Sequence, residues 1–306
     1  LKKSVSISGV GLHTGRQVDM QISPADGGSG IRFFRSDLDI NTFITADVSN
    51  VFTTNRGTTL KSGEATISTI EHLLSALHAL NIEDALVTVN GPEIPIMDGS
   101  AKSFMDLILA AGLDQTESSR EVFVVKEAFN FTDPDNGAEY AVYPSDDFEL
   151  NVILHFSEST LGDMVATMKT KEPFYQEISD SRTFVFLSEI EPLFDSGLIR
   201  GGDIDNAVVI IDKPMSTEET DHLRKKLGKP DATIENGVIS STPLRHKNEP
   251  ARHKLLDLLG DLALLGKDIQ AKIVATRPGH KSNVELAKIL KTKYQEYRRS
   301  IGRPLY

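Results

Sequence analysis

Strand-like stretches alternate with apolar helical ones along this chain, and two of the helical stretches carry charged or imidazole side chains at fixed spacing. The first is Ser68–Ile82, where Ile70, Leu73, Leu74, Leu77 and Leu80 recur at helical spacing around Glu71-His72, with Ser68 or Thr69 as the expected N-cap. The second runs from about Pro250, a favourable early helix position, to a stop at Gly266, and contains His253-Lys254-Leu255-Leu256-Asp257-Leu258-Leu259-Gly260-Asp261. Residues i and i+4 of a helix share a face, so His253 and Asp257 point the same way, with Asp261 one turn further along. That is half of a metal site. A catalytic zinc needs a third protein ligand, for which His72 is the expectation, and an open position for water, beside which Glu71 would stand as base.

Around these helices the chain reads as short strands and turns. Ser4–Gly9 and Gln17–Ser23 alternate in the strand manner and flank the Gly-punctuated turn Gly9–Gly15. Ala85–Val89 is an expected buried strand. Gly91–Ser100 must be a loop, since its two prolines bar a central strand and Asp98-Gly99 signals a turn, and Ser100 should cap a helix over Ala101–Ala111. The polar stretch Asp114–Arg120 has no apolar period, which places a domain boundary there, with an N-terminal domain over 1–117 and a C-terminal one over 121–306. Strands are then expected at Glu121–Phe129, Ala138–Pro144 and Glu149–His155, followed by the segment Ser179–Leu187, a Gly-rich connection at Ser196–Gly202 and an apolar strand at Ala207–Ile211. An insertion is expected near 190–238, its polar, Pro- and Gly-interrupted part from about 212 to 238 lying at the surface. Strand Lys272–Thr276 leads into Arg277-Pro278-Gly279-His280, and a last amphipathic helix covers about Asn283–Arg298. The string Ile82–Val89 echoes Ile204–Ile211, which fits two similar halves.

The 306 residues suffice for two domains of ordinary size. With 33 Lys and Arg against 44 Asp and Glu, a net charge of −11 and no basic block, the chain is expected to have no nucleic-acid partner, and any anionic substrate would need a local cation. The absence of cysteine excludes disulfides and thiolate metal sites, leaving His and carboxylate as ligands. No apolar run approaches the ~18 residues of a membrane helix, and no signal-type apolar core follows Leu1-Lys2-Lys3-Ser4, so no transmembrane segment and a cytoplasmic location are the expectations.

Six strings, in order along residues 9 to 280, resemble one family: Gly-Val-Gly-Leu-His-Thr-Gly (9–15), Ser-Thr-Ile-Glu-His-Leu (68–73), Pro-Glu-Ile-Pro-Ile-Met-Asp-Gly-Ser (92–100), Ser-Arg-Thr-Phe (181–184), Arg-His-Lys-Leu-Leu-Asp-Leu-Leu-Gly-Asp (252–261) and Gly-His (279–280). The family is the UDP-3-O-acyl-N-acetylglucosamine deacetylase of lipid A biosynthesis. The resemblance implies an α+β protein of two similar β-α-α-β domains, helices sandwiched between the sheets and the active site at the domain interface. It implies Zn2+ bound by His72, His253 and Asp257, with Fe2+ on the same ligands as the alternative. It makes Glu71 the catalytic carboxylate, His280 the catalytic histidine, Asp261 the partner of His280, Thr183 a hydroxyl near the oxyanion and Lys254 a substrate-binding cation. Phe184, Phe186, Ile190, Ile199 and Ala207 would line or border the passage for a fatty acyl chain. The expected partner is the acylated UDP-sugar substrate, and a domain fused beyond Tyr306 in the natural polypeptide is a further partner to expect. The loop Arg56–Leu60 departs from the family in being less apolar, and the insertion near 212–238 in being longer.

The chemistry of the residues agrees. Amide hydrolysis at neutral pH needs a nucleophile better than bulk water, which a zinc ion supplies by bringing the pKa of water down to about 7. Glu71 is placed to take a proton, and two roles are open to His280: general acid for the departing amine, or a cation held by Asp261 that stabilises the oxyanion. Taken singly, each residue has a plain reading. His72 alone is a core or surface histidine, His253 and Asp257 an i,i+4 surface pair, Asp261 a solvated carboxylate, Phe184 and Phe186 core, and His13 a residue that closes its turn and is left out of the site. His78, His155, His222 and His246 belong to no constellation. The ordered motifs favour zinc-dependent release of acetate from UDP-3-O-[(3R)-3-hydroxyacyl]-N-acetylglucosamine. The alternatives are a zinc amidohydrolase on another N-acetyl sugar and a non-catalytic acyl or nucleotide-sugar binding protein.

Overall fold

The turn at Gly9–Gly15 closes a hairpin, and everything in the first half is built outward from it. A computed structural model of the chain describes residues 1–114, 121–156, 161–212, 218, 232–235, 237–300 and 302. Its first half runs β1 (Val5–Val10), β2 (Gln17–Pro24), β3 (Ile31–Arg35), β4 (Phe43–Thr45), a small sheet of β5 (Val51–Thr53), β6 (Thr59–Ser62) and β7 (Ala65–Ile67), then α1 (Glu71–Ala79), β8 (Ala85–Val89) and α2 (Lys102–Ala111). β8 inserts between β2 and β3, antiparallel to the former (Met20↔Val89) and parallel to the latter (Ile31↔Ala85), so the sheet order is β1-β2-β8-β3-β4. Val18, Met20 and Ile22 alternate with exposed residues on β2, which buries one face of the sheet and leaves the other wet.

The second half repeats this plan. It contains β9 (Val122–Val124), β10 (Phe129–Thr132), β11 (Glu139–Tyr143), β12 (Phe148–Phe156), β13 (Gly162–Met168), α3 (Phe174–Glu177), β14 (Phe184–Phe186), α4 (Ile190–Asp195), β15 (Val208–Ile210), β16 (Thr233–Glu235), β17 (Val238–Ser240), α5 (Glu249–Leu262), β18 (Asp268–Thr276) and α6 (His280–Ser300). The sheet order β10-β11-β18-β12-β13 has the same sequence of strand directions as the first sheet, with β18 in the place of β8 and β9 alongside β18. The fold is α+β. Helix α2 packs on β1 and α1, α1 on α5, and α5 on β12, β13 and α6, which gives the layers sheet, helices, helices, sheet. All nine residues of α1 are buried, as a helix covered on every side requires.

Several local expectations change. The helix after Ser68 begins at Glu71 with Ile70 in the cap position and no side-chain cap; Thr69 has φ +58 and donates its hydroxyl to Glu93 Oε1 instead (3.1 Å). Ala101 takes the cap position of α2, and Ser100, one residue earlier, accepts the Lys102 N–H (3.2 Å) while donating to Asp98 (2.8 Å). The strand expected over Glu121–Phe129 breaks into β9 and β10. The last helix starts at His280, not Asn283, and the strand before it at Asp268, not Lys272. The echo of Ile82–Val89 in Ile204–Ile211 does not mark equivalent strands, because β15 lies in a separate sheet, β14-β15-β17-β16, while the counterpart of β8 is β18.

Within the expected insertion near 190–238, residues 213–217, 219–231 and 236 lie outside the described residues, as do 115–120 of the expected boundary and His222. The described end of the insertion is not surface chain. Ala232 and Ile239 are buried against Ile204 and Val209, while Val238, the neighbour of Ile239 on β17, packs into the main core, and β17 pairs with β15. No helix among the described residues is long and apolar enough to cross a membrane.

Candidate metal and catalytic site

Two helices meet at a glycine. A Cβ on Gly260 of α5 would lie 2.1 Å from the Glu71 carbonyl oxygen of α1, so the main chains touch where a side chain would have held them apart. That contact brings His72 to the face of α5 that carries His253 and Asp257, one turn apart. Asp257 Oδ1 lies 3.6 Å from His72 Nε2 and 3.2 Å from His253 Nε2, and the two imidazole rings stand edge to face with centroids 4.9 Å apart. All three side chains are buried, at 4%, 2% and 1% exposure, which excludes the surface-pair reading of His253 and Asp257. Among the described residues they form one group able to hold a metal ion, with ligand atoms within 4.8 Å of one another.

The donor set fits a divalent cation. His253 Nδ1–H donates to the Ser181 carbonyl (3.0 Å), which leaves the Nε2 lone pair facing the group. Burial lowers the pKa of His253 against the pull of Asp257, so the ring is neutral at pH 7. Burial also opposes ionisation of Asp257, but its neighbours His253, Lys254 and His280 outweigh it and hold the carboxyl well below the usual carboxylate range. Its Oδ1 is nevertheless buried without a hydrogen-bond partner. Such an atom is costly unless something positive meets it.

Glu71 and His280 flank this group. Glu71 Oε2 accepts the Thr58 N–H (3.0 Å), and Oε1 faces His280 Nε2 at 3.9 Å. His280 Nδ1–H donates to Asp261 Oδ2 (3.0 Å), and its Nε2 is 3.9 Å from Asp257 Oδ2. Burial disfavours the imidazolium, but Asp261, Glu71 and Asp257 together prevail and raise the pKa of His280 to about 9, so it is a cation at neutral pH. Asp261, fully buried, accepts two further bonds, from Thr58 Oγ1 (2.6 Å) and Asn283 Nδ2 (2.9 Å); Asn283 Oδ1 in turn accepts the Tyr140 hydroxyl (2.6 Å).

Thr183, Phe184, Ile190, Ile199 and Ala207 line one apolar cavity beside the site, together with Leu12, His13 and Arg56. Thr183 is fixed by its main chain, donating to Gly99 O (2.7 Å) and accepting from Val208 N (2.8 Å). Gly99 has φ +80 and a Cβ there would lie 1.8 Å from Asn206 O, so the 92–100 loop reaches Thr183 only with glycine at that point. Phe186 does not line the cavity. It packs behind it, 6.2 Å from the Phe184 ring and 6.0 Å from Phe156. Lys254 is not in the cavity wall either; its ammonium bonds Asp257 Oδ2 (3.0 Å) and lies 5.5 Å over the Phe184 ring.

Three participants escape a reading of the sequence. His13 does close its turn, its N–H donating to Glu93 Oε1 (2.8 Å), but it also borders the cavity. Asn283 sits one helical turn after His280, a spacing that marks it as a neighbour. Thr58 carries no local signal. Of the remaining histidines, His155 pairs with Asp163 and His246 with Asp180, away from this group.

A family model described as UDP-3-O-acyl N-acetylglycosamine deacetylase matches residues 1–226 and 231–292. The Bifunctional enzyme LpxC/FabZ of Porphyromonas gingivalis is 40% identical over 297 residues, covering 97% of this chain and 64% of its own length. Its namesake from Bacteroides thetaiotaomicron is 42% identical over 289 residues, covering 94% and 63%. The UDP-3-O-acyl-N-acetylglucosamine deacetylase of Chlamydia felis is 38% identical over 290 residues, covering 94% of both. The chain thus spans slightly less than two thirds of the bifunctional relatives.

Proposed function

The chain belongs to the UDP-3-O-acyl N-acetylglycosamine deacetylase family, and on that premise we propose that it is a zinc-dependent hydrolase that releases acetate from UDP-3-O-[(3R)-3-hydroxyacyl]-N-acetylglucosamine, a step of lipid A biosynthesis. The observation that carries the reading is the unpartnered, buried Asp257 Oδ1 facing two imidazole nitrogens, beside the Glu71 and His280 pair. His72, His253 and Asp257 would hold the ion. Asp257 Oδ1 lies 3.6 and 3.2 Å from the two imidazole Nε2 atoms, close enough for one ion to be met by all three side chains. Fe2+ on the same three ligands is the alternative. When bound, the ion supplies a lowered pKa for water and polarisation of the acetyl carbonyl.

The protein's own groups do the rest. Thr58 holds Glu71 Oε2, so Oε1 is the oxygen turned toward the reactants and takes the proton from the attacking water. Asp261 holds the Nδ1–H of His280, so the proton His280 has to offer is on Nε2, which faces Glu71 and Asp257. That proton serves the departing amine or stabilises the oxyanion, with the Thr183 hydroxyl beside it. The apolar cavity takes the acyl chain against Phe184, Ile190, Ile199 and Ala207, and its low-dielectric wall excludes water from one side of the reaction. Lys254 contributes a cation to the anionic nucleotide sugar while shared with Asp257.

The two-domain division, 1–117 and 121–306, is part of the same proposal and is supported by the repeated strand order. The bifunctional relatives support a further domain fused to this one in the natural polypeptide. The cytoplasm is the compartment proposed, where a chain without cysteine loses nothing. The test is metal content of the purified protein together with acetate release from the acylated nucleotide sugar. One zinc per chain and acetate release that is lost on chelation are expected; release undiminished after exhaustive chelation, or none from fully zinc-loaded protein, would overturn the proposal. Equal hydrolysis of UDP-N-acetylglucosamine lacking the acyl chain would favour an amidohydrolase on another N-acetyl sugar.

A further inference from the structure

The segment Arg56-Gly57-Thr58 crosses from one half of the molecule to the other. Arg56 has φ +59, pairs through both terminal nitrogens with Glu189 (2.6 and 3.2 Å), and offers its carbonyl to His13 Nε2 (3.2 Å). Gly57 lies so near the site that a Cβ on it would be 3.1 Å from Glu71 Oε1. Thr58, with no exposed surface, makes one bond in each direction: its N–H to Glu71 Oε2, on the helix from its own half, and its hydroxyl to Asp261 Oδ1, on the helix from the other.

We infer that Thr58 is a positioning residue that fixes Glu71 and the Asp261–His280 pair relative to one another, and this rests on the deacetylase reading above. A carboxylate on a rotatable stem has two equivalent oxygens and a broad terminal torsion. The main-chain bond from Thr58 selects which oxygen of Glu71 faces His280, and substitution of the side chain leaves that bond in place. The hydroxyl works on the other partner. Asp261 receives its Oδ2 bonds from His280 and Asn283, both on α6, and among the described residues only the Oδ1 bond from Thr58 ties the carboxylate to the half that supplies Glu71. Without it the Asp261 carboxylate is held through its two bonds from α6 alone, and His280 Nε2 loses its register against Glu71 Oε1. The β-branched threonine side chain also has few χ1 rotamers, so the bond costs little ordering.

The test compares Thr58→Val, which keeps shape and main chain, with Thr58→Ser, which keeps the hydroxyl, each alone and combined with His280→Gln. Loss of a buried hydrogen bond to a charged group predicts a kcat lower by roughly 10- to 100-fold in Thr58→Val, with KM and zinc per chain unchanged and Thr58→Ser close to the unmodified protein. In the His280→Gln background the same Val substitution should cost less than about threefold, since the group it acts through is gone. An equal cost in both backgrounds, or kcat unchanged in Thr58→Val, overturns the inference. The proton on His280 Nδ1 gives a readout that needs no turnover: its downfield NMR resonance should shift in Thr58→Val and persist in Thr58→Ser. If the unmodified protein releases no acetate the deacetylase reading fails, and an unshifted resonance in Thr58→Val still overturns the role of Thr58 by itself.

Discussion

Glu71 Oε1 and His280 Nε2 stand 3.9 Å apart, each anchored from behind, the first through Oε2 on the Thr58 N–H and the second through Nδ1 on Asp261. The gap is too wide for a direct hydrogen bond and narrow enough that one water or one amide group reaches both. An acceptor and a charged donor facing each other across such a gap are an acid–base pair held ready for a reactant.

Glu71→Gln and His280→Gln are each expected to lower kcat/KM by about 10²–10⁴, the range for a positioned proton-transfer group, with metal content unchanged. The double variant should fall well short of the product of the two, because the groups act on one proton path. Steady-state kinetics with metal analysis checks this, and loss of metal in Glu71→Gln would make that carboxylate a ligand.

His280 also sets a pH dependence. Its pKa rises from an ordinary 6.5 to about 9 in the fold, so His280 binds its proton more tightly in the folded state than in the unfolded one. The resulting stability is complete below about pH 6.5 and is lost as pH rises through about 9, a difference of about 3 kcal/mol. Denaturant titration of metal-free protein between about pH 6 and pH 10 should show that loss, and His280→Gln should lack it. The metal-loaded protein is expected to lose kcat/KM on the alkaline side as His280 gives up its proton. Identical pH curves for the two proteins would contradict this assignment.

The residues that could be read in the sequence were those related locally. His253 and Asp257 are four apart on one helix, and Glu71 and His72 share a dipeptide, so helical geometry alone orients them. Thr58 and Asp261 are bonded across 203 positions, and nothing in the residues around Thr58 encodes its partner. The same limit applies to strands. Met164, Ala166 and Met168 alternate with exposed residues on β13, yet the apolar Val165 lies on the exposed face between them, so the alternation is weak in the sequence. Ile204–Ile211 resembles Ile82–Val89 because both feed short buried strands, a requirement that any sheet imposes, and so the likeness carried no topology.

Removal of metal should both abolish acetate release and lower stability. A ligand present at about 100 times its Kd stabilises the folded state by about 2.7 kcal/mol. His72→Ala, His253→Ala and Asp257→Ala are each expected to lose bound metal and its thermal stabilisation together, read by elemental analysis and by the unfolding midpoint with and without added zinc. A variant that keeps full metal occupancy removes that residue from the ligand set.

Acyl-chain length should be read by the apolar cavity. Each buried methylene contributes about 0.8 kcal/mol, or roughly fourfold in kcat/KM, so shortening the chain should reduce the rate stepwise. Ala207→Phe, which fills the wall beside Phe184 and Ile199, should flatten that dependence, lowering kcat/KM for long chains more than for short ones. A parallel loss at every length would place the chain elsewhere.

The contact of α5 with α1 at Gly260 has a consequence for how the chain matures. His72 and His253 are about 180 residues apart in sequence, and they come together where the main chains of α1 and α5 touch at Gly260, between the two sheets. A nascent chain ending before residue 249 contains one imidazole of the group and no carboxylate, and so cannot capture the ion with the affinity of the finished site. On the proposed metal site, ion capture would therefore wait on the meeting of α1 and α5, and its binding free energy would be added only to chains in which that contact has formed.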